Sequence, residues 1–460
     1  MKTGFEDIFC VRVLNKYLIY APRHHFSALL NRSAVQAVFR GILAGQSPAG
    51  ELAELVEILQ SDGEPVPMPQ TGPLVAPLFL GLIPTRGCNM NCQYCDFLAP
   101  KNSSPQMSLE LARQTIDAYI NLIQAARKSS LDIRFFGGEP FYAWDVVFFA
   151  VEYARWQAAQ MGFRTHFEAI TNGVLRADRC QWIADHFDMV VLSLDGQGGV
   201  HERQRPSLNA QPTYPIILRN AHILANGPVE LALRACITRE NVSQMVEFAI
   251  WAATELMPSS LCFETLAESP ISKRAGLVPS DPLEFVRNFI AAKKALEPLG
   301  IKTILSTDQA EKCQFSFCPV GKDALIISPD GSIDACYWLK DEWVKNGLEL
   351  HLGVVNQTGF ELETEKVLQA RGATLLHKDA CQNCLCQYIC AGGCHVRRAA
   401  NPQVRQYNQI CFQTRLITVS RLLSEMGQAE LAGALLQDKT AVDVCVYPLS
   451  DRLCDMEILL

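Results

Sequence analysis

Short apolar, β-rich runs alternate with longer stretches of helical periodicity between residues 78 and 266, the pattern of βα units laid into a parallel sheet. Six runs read as strands: 78–84, 131–136, 165–171, 189–194, 230–238 and 260–266. A repeat of this kind curls into a barrel whose site residues stand at the carboxyl ends of its strands. The fold class expected is therefore α/β, with a partial (βα)6 TIM-like barrel over residues 78–305. Ahead of it, residues 1–60 read as a small winged-helix-like unit: an extended stretch over 9–20, a helix after Asn31, a stop at Gly45, and a second helix with Ser47 as N-cap and Pro48 at its first position. Residues 61–77, with Pro65, Pro67, Pro69, Pro73 and Pro77, read as a semi-rigid linker. After the barrel come a cysteine-rich domain over 306–415 and a helical tail over 416–460. Residues 412–436 are expected to form one amphipathic packing helix.

At 460 residues, 49% hydrophobic and 19% charged, the chain can bury a large core divided over two or three domains. A net charge of -7 argues against a general nucleic-acid binder. No apolar run reaches membrane-span length, and the opening MKTGFEDIFC lacks the layout of a signal peptide, so a cytoplasmic protein with no membrane partner is expected. In that compartment eighteen cysteines point to metal or iron-sulfur ligation rather than disulfides. They cluster at 88–95, 313–336 and 381–411.

Cys88, Cys92 and Cys95 have the spacing C-x3-C-x2-C, with Tyr94 just before the last thiol. Three thiolates hold a 4Fe-4S cube by three irons and leave the fourth open, as catalytic metal sites do. A zinc knuckle is the alternative for the triplet alone. Motifs at the ends of later strands weigh against it. Gly137-Gly138-Glu139-Pro140 is a bend that lets backbone approach a ligand, Thr171-Asn172-Gly173 ends the third strand, Ser193-Leu194-Asp195-Gly196 ends the fourth, and Arg234 on the fifth suits a carboxylate. Each alone is ordinary turn chemistry.

Together these residues resemble the radical S-adenosylmethionine (SAM) enzymes. The resemblance implies that SAM chelates the open iron of the cluster at Cys88, Cys92 and Cys95 and that one electron cleaves it to a 5'-deoxyadenosyl radical. It places Gly137 to Pro140, with Glu139, at the SAM amino group. Tyr94, Asn172, Ser193, Asp195 and Arg234 are then further SAM-site residues, with contacts to the carboxylate or ribose expected at the third and fourth strand ends.

The later cysteines resemble the SPASM extension, which carries auxiliary clusters, although four-cysteine sites with C-x2-C spacing are also common for zinc. Carried over by position, Cys313, Cys318, Cys336 and Cys394 would hold one 4Fe-4S cluster and Cys381, Cys384, Cys390 and Cys411 another, giving three clusters in all. Cys386 is an extra thiol. The amino-terminal unit resembles the peptide-recognition domains of enzymes that modify ribosomally made peptides, where an edge strand accepts a precursor's leader segment.

A radical SAM maturase that crosslinks a ribosomal precursor peptide is therefore expected, fed by a flavodoxin- or ferredoxin-type electron donor. A peptide epimerase, a maturase of a folded enzyme subunit, and a non-catalytic iron-sulfur carrier or scaffold are the alternatives. In sulfatase-maturing relatives an aspartate base follows the cysteine equivalent to Cys336, whereas here Tyr337 does, which speaks against oxidation of a sulfatase nucleophile. Cys236 shares strand parity with Arg234, as a hydrogen donor would need, though a small buried hydrophobe is the plainer reading. His201, Glu202 and Arg205, in the loop after Asp195, could approach substrate, though a solvated charged loop is the plainer reading, and Arg397-Arg398 beside Cys394 read as surface. Cys10, Cys180, Cys262, Cys445 and Cys454 are unassigned.

Overall fold

The computed structural model describes residues 7–45, 48–95, 97, 104–308, 313–318, 323–373, 379–398, 408–447 and 451–453. The amino-terminal unit is an antiparallel sheet of β1 (Phe9–Val13), β2 (Lys16–Ala21) and β3 (Phe26–Leu30), in that order, so the single extended stretch read over 9–20 is a hairpin. Two helices, Arg32–Ala44 and Glu51–Gln60, close over it around Ile19, Val35, Val38, Leu55 and Leu59. Asn31 caps the first helix through the Ala34 amide, and Gly45 ends it at φ 65°. The second helix departs from expectation. It begins at Glu51 behind Gly50, with Glu51 and Glu54 in its first turn, so Pro48 lies ahead of it; Ser47 falls outside the described residues.

All six barrel strands form where the apolar runs lie: β4 (Leu80–Leu82), β5 (Ser130–Phe135), β6 (Arg164–Thr171), β7 (Met189–Ser193), β8 (Glu230–Ile237) and β9 (Ser260–Thr265), each parallel to the next. The sheet continues past both ends. Strand β10 (Lys302–Ile304) pairs parallel with β9, and β11 (Leu325–Ile327) pairs parallel with β4. From β11 the direction alternates through β12 (Ser332–Asp334), β13 (His351–Asn356) and β14 (Gly359–Leu362), so the first part of the cysteine-rich region extends the barrel sheet. Tyr337, shortly after β12, lies against a glycine of β4: a Cβ on Gly81 would come within 2.6 Å of the Tyr337 hydroxyl.

The proline-rich segment is pinned at both ends. Arg23 donates to the Gly63 and Glu64 carbonyls, and the buried Arg371 donates to the Gln70 and Gly72 carbonyls while pairing with Asp323. The helix expected over 412–436 is two helices, Gln409–Glu425 and Ala429–Gln437, because Gly427 takes φ 72° and turns the chain; a third helix spans Lys439–Val446. The first of these is buried on every face from Phe412 to Ser420 rather than amphipathic. Beyond it, Asp451–Leu453 returns to the amino-terminal sheet, where the Cys10 amide donates to the Asp451 carbonyl (2.6 Å) and the Leu453 amide to the Ile8 carbonyl (2.9 Å). Among the described residues no helix is long and apolar enough to cross a membrane.

Candidate active site at the carboxyl ends of the barrel strands

The first cysteine loop leaves β4 and is held from two sides by backbone. On one side the Gly138 amide donates to the Thr85 carbonyl (3.2 Å) and the Glu139 amide to the Gly87 carbonyl (2.9 Å). On the other, the Asn91 amide reaches the Pro206 carbonyl and the Gln93 amide the Gln204 carbonyl, both at 2.8 Å. A Cβ on Gly138 would lie 2.2 Å from the Gly87 carbonyl oxygen, so two main chains meet where no side chain fits. Cys88, Cys92 and Cys95 all open onto one cavity of about 200 Å³. Burial pushes the Cys88 thiol up to about 12 and the Cys92 thiol up to about 11, so loading metal there must displace protons.

Tyr94, Gly137, Gly138, Glu139, Asn172, Ser193, Asp195 and Arg234 line the same cavity, as the sequence motifs imply. Pro140 does not; it opens the buried turn Pro140–Ala143 behind the bend. The Glu139 carboxylate is turned into the protein: one oxygen accepts from Thr171 Oγ1 (2.8 Å) and the Phe141 amide (3.2 Å), the other from the Asn172 amide (2.7 Å). Burial raises its pKa to about 7 against the pull of these donors. It therefore clamps the bend after β5 to the end of β6 while Glu139 also lines the cavity. Asn172 in turn donates to Asn89 Oδ1 (2.8 Å) and stands 3.6 Å from Cys88 Sγ, joining that strand end to the cysteine loop.

Asp195 is likewise a brace. Its oxygens accept from Tyr94 Oη (2.7 Å), Gln204 Nε2 (3.0 Å) and the Cys236 amide (3.0 Å), joining the cysteine loop to β7 and β8. Arg205 completes this set by donating to Tyr94 Oη (2.6 Å) from 8% exposure. The charged-loop reading of His201, Glu202 and Arg205 is thus overturned. These residues belong to or follow the short helix Gly199–Gln204, which turns inward: His201 is fully buried, Glu202 accepts from the Thr213 and Tyr214 amides, and Arg205 lines the cavity. Burial, with Arg205 nearby, lowers the His201 pKa to about 4, so the ring is neutral and accepts from the Asp195 amide (3.4 Å). Cys236 and Arg234 do share a face, and both line the cavity, with Arg234 Nη2 4.0 Å from Glu264. An aromatic wall went unread in the sequence: Phe97 and Phe136 line the cavity, Trp338 stacks on Phe97 with centroids 5.1 Å apart, and Tyr337 packs on Phe136.

The later cysteines fall into groups. Cys381, Cys384, Cys390 and Cys411 surround one small cavity of about 20 Å³, and Cys386 shares it with its sulfur 3.4 Å from Thr418 Oγ1. Cys336 feels Cys318 and Cys394 as neighbouring charges, which places those three together. Cys313 opens onto another cavity, between Tyr20 and Phe26 of the amino-terminal unit and Tyr388 and Arg421. Seventeen described cysteines are free of disulfides, and Cys454 lies outside the described residues. Cys10, Cys180 and Cys445 are simply buried. The side chains of Arg397 and Arg398 are outside the described set.

Comparison with known proteins agrees with this geometry. The Radical SAM superfamily profile matches residues 82–251. The chain is 24% identical over 341 residues to the serine-type anaerobic sulfatase-maturating enzyme of Klebsiella aerogenes, covering 70% of this chain and 80% of that one. It is 21% identical over 344 residues to the cysteine-type anaerobic sulfatase-maturating enzyme of Clostridium perfringens (strain 13 / Type A), covering 69% and 89%. Among solved structures, native anSMEcpe with bound AdoMet and Cp18Cys peptide shares the fold at TM-score 0.59 and 18% identity, over 76% of this chain and 99% of that one. A three-thiol loop and a glycine bend at the mouth of a parallel βα sheet lie within the span the superfamily profile matches, so residues 82–251 carry a radical SAM domain, and the protein is an enzyme whose cofactors are SAM and iron-sulfur clusters of the 4Fe-4S type.

Proposed function

We propose that the chain is a radical SAM maturase of SPASM type that binds a ribosomally made precursor peptide and installs a crosslink in it, a thioether or a carbon-carbon or carbon-oxygen bond. When bound, the cluster and SAM supply a 5'-deoxyadenosyl radical able to take hydrogen from an unactivated carbon. The chain's own residues fit that pair: Cys88, Cys92 and Cys95 supply three soft ligands, and Gly137 and Gly138, which line the same cavity, let the bend close directly on the main chain of the cysteine loop. Asp195, Tyr94 and Arg205 hold the loop against the strand ends, and Arg234 stands ready for a carboxylate. Phe97, Phe136 and Trp338 wall one side and exclude water from the reacting carbon. Cys381, Cys384, Cys390 and Cys411 on one cavity, with Cys318, Cys336 and Cys394 near one another, support two auxiliary clusters; Cys313 opens onto the separate cavity beside Tyr20 and Tyr388.

The observation that carries the peptide reading is the amino-terminal sheet. Its β1 edge is closed by Asp451–Leu453, while β3 pairs, among the described residues, with β2 alone. A leader strand has one place to add, beside Phe26–Leu30. Tyr337 argues for crosslinking over the reaction in the relatives' names: at the position where the resemblance expects a base, this ring packs against Gly81 and Phe136. The test is co-expression with a short precursor from a neighbouring reading frame, followed by mass spectrometry. Loss of two hydrogens from the wild-type product, abolished when residues 1–60 are deleted, is expected; full turnover by the truncated chain would exclude leader capture there.

One observation favours a second reading. Cys236 lines the SAM cavity beside Arg234, where a thiol could return hydrogen to a substrate carbon. Epimerisation would then show as deuterium uptake from heavy water, lost in Cys236→Ala, with no loss of two hydrogens.

A further inference from the structure

The cavity ringed by Cys381, Cys384, Cys390 and Cys411 holds a cation that the proposed chemistry does not use. Arg415 follows Cys411 by four residues on the helix Gln409–Glu425, so both side chains leave one face of it. The guanidinium is 1% exposed. Its Nη1 donates to Cys384 Sγ at 3.2 Å, and its Nη2 donates to the Cys445 carbonyl at 3.1 Å and to Asp451 Oδ1 at 2.8 Å. Nη1 also donates to the other Asp451 oxygen, making the pair bidentate. Asp451 is fully buried and is fixed in turn: Oδ2 accepts from the Leu385 amide (2.6 Å), its amide donates to the Asn383 carbonyl (2.9 Å), and its carbonyl accepts from Cys10 in β1 (2.6 Å).

A buried ion pair is a poor way to gain stability, because desolvating both charges offsets most of their attraction. Apolar side chains of similar volume would serve a packing role as well. What this pair supplies that they would not is a charge-assisted N–H directed at one sulfur of the cysteine set. Hydrogen bonds to cluster sulfurs are among the factors that set iron-sulfur potentials, and a donor favours the more negative, reduced state.

We propose that Arg415, oriented by Asp451, is a positioning residue that raises the reduction potential of the auxiliary cluster held by Cys381, Cys384, Cys390 and Cys411. This rests on the reading of those cysteines as a cluster site. In a crosslinking reaction the substrate radical must give up one electron once the new bond forms, and a cluster whose reduced form is stabilised is the better acceptor. The pair has a second consequence. Asp451 reaches the cysteine loop by its carboxylate and β1 by its carbonyl, so the orienting group of the cluster is also a strap on the amino-terminal unit.

The test uses the full-length, anaerobically reconstituted enzyme and EPR-monitored redox titration. Arg415→Met alone would strand a buried carboxylate, so the double variant Arg415→Met with Asp451→Asn is the main probe; the asparagine oxygen still accepts from Leu385. The expected result is retained iron with the midpoint of that cluster lowered by at least a tenfold change in its equilibrium, about 59 mV for one electron. SAM cleavage without peptide should be unchanged, and crosslinked product per 5'-deoxyadenosine should fall. An unshifted midpoint with iron retained would overturn the inference, and so would loss of the cluster from the double variant, which would make the pair structural only. A separate failure is distinguishable: if Cys381→Ala with Cys411→Ala binds as much iron as wild type, no cluster sits there and the underlying reading fails.

Discussion

Two cysteine loops in this molecule gather thiols around a cavity, and they are built in opposite ways. The loop at Cys88, Cys92 and Cys95 faces about 200 Å³ lined by polar groups from several strand ends. The loop at Cys381, Cys384 and Cys390, with Cys411, surrounds about 20 Å³ that Arg415, Gln387 and Thr414 also line. An open fourth position needs room for a cosubstrate, whereas a fully ligated cluster needs exclusion of solvent and a fixed electrostatic surrounding. On the function proposed above, the contrast in space matches a site for bond making at the first loop and a site for electrons at the second.

The largest expected effect tests that separation directly. Cys88→Ala, Cys92→Ala and Cys95→Ala together should abolish 5'-deoxyadenosine formation and remove about four irons per chain, the content of one cube. Cys381→Ala with Cys411→Ala should also lose iron yet keep SAM cleavage in the absence of peptide. Iron analysis and chromatographic detection of 5'-deoxyadenosine check both; equal loss of cleavage in the two variants would erase the distinction.

Gly138→Ala ranks next. Its Cβ would meet the Gly87 carbonyl oxygen at 2.2 Å and the Arg86 carbonyl oxygen at 2.4 Å, both backbone atoms that cannot rotate away. Forcing the bend and the loop apart should cost about 1–3 kcal/mol or more of stability. Cluster occupancy at the barrel mouth should drop while the distal iron stays, seen as a selective loss in the EPR spectrum.

Asp195→Asn is milder because shape is kept. The amide loses the charge-assisted bonds to Tyr94 and Gln204 and must turn an N–H toward one of its former donors, at a cost of about 1–3 kcal/mol. A displaced Tyr94 would misplace the loop, and SAM cleavage should fall by up to about 10²-fold. Wild-type rates would show that the strand ends hold the loop without this brace.

What was legible in the sequence follows the physics of burial. Strands β4 to β9 were readable as short β-rich runs in which buried apolar residues recur, at every second position in β5, β6 and β7. Strands β10 and β11 have three residues each, and their parallel pairing with β9 and β4 depends on chain returning from far away, which local pattern does not encode. The cavity-lining motifs were legible as glycines and polar residues at strand ends. Their full surroundings were less so: Glu139 and Asp195 look like ligands in the sequence, and in the fold both line the cavity and also brace the strand ends, since burial and backbone donors appear only with the tertiary structure. Arg205, Arg415 and Gly427 failed for three reasons. A charge cannot announce that its helix turns inward, a buried pair spans distant segments, and one glycine inside a helical pattern is tolerated as often as it terminates.

The smallest expected effect comes from His201, between the braces and away from either thiol set. Burial and the Arg205 cation lower its pKa from the ordinary 6.5 to about 4, so the folded ring stays neutral where the unfolded one would take a proton. The unfolded state thus binds more protons between those values, and stability must fall as pH drops from about 6.5 toward 4. The full shift corresponds to roughly 3 kcal/mol at the low end. His201→Leu should flatten that limb of the stability profile; near neutrality it relieves the unpartnered Nε2 but strands the Asp195 amide that Nδ1 accepts from, at a cost of about 1–3 kcal/mol. Denaturant midpoints at pH 7.5, 6 and 5, taken at one constant ionic strength so that screening is the same throughout, compare the two proteins. An unchanged slope in the variant would place the acid sensitivity of the barrel mouth elsewhere.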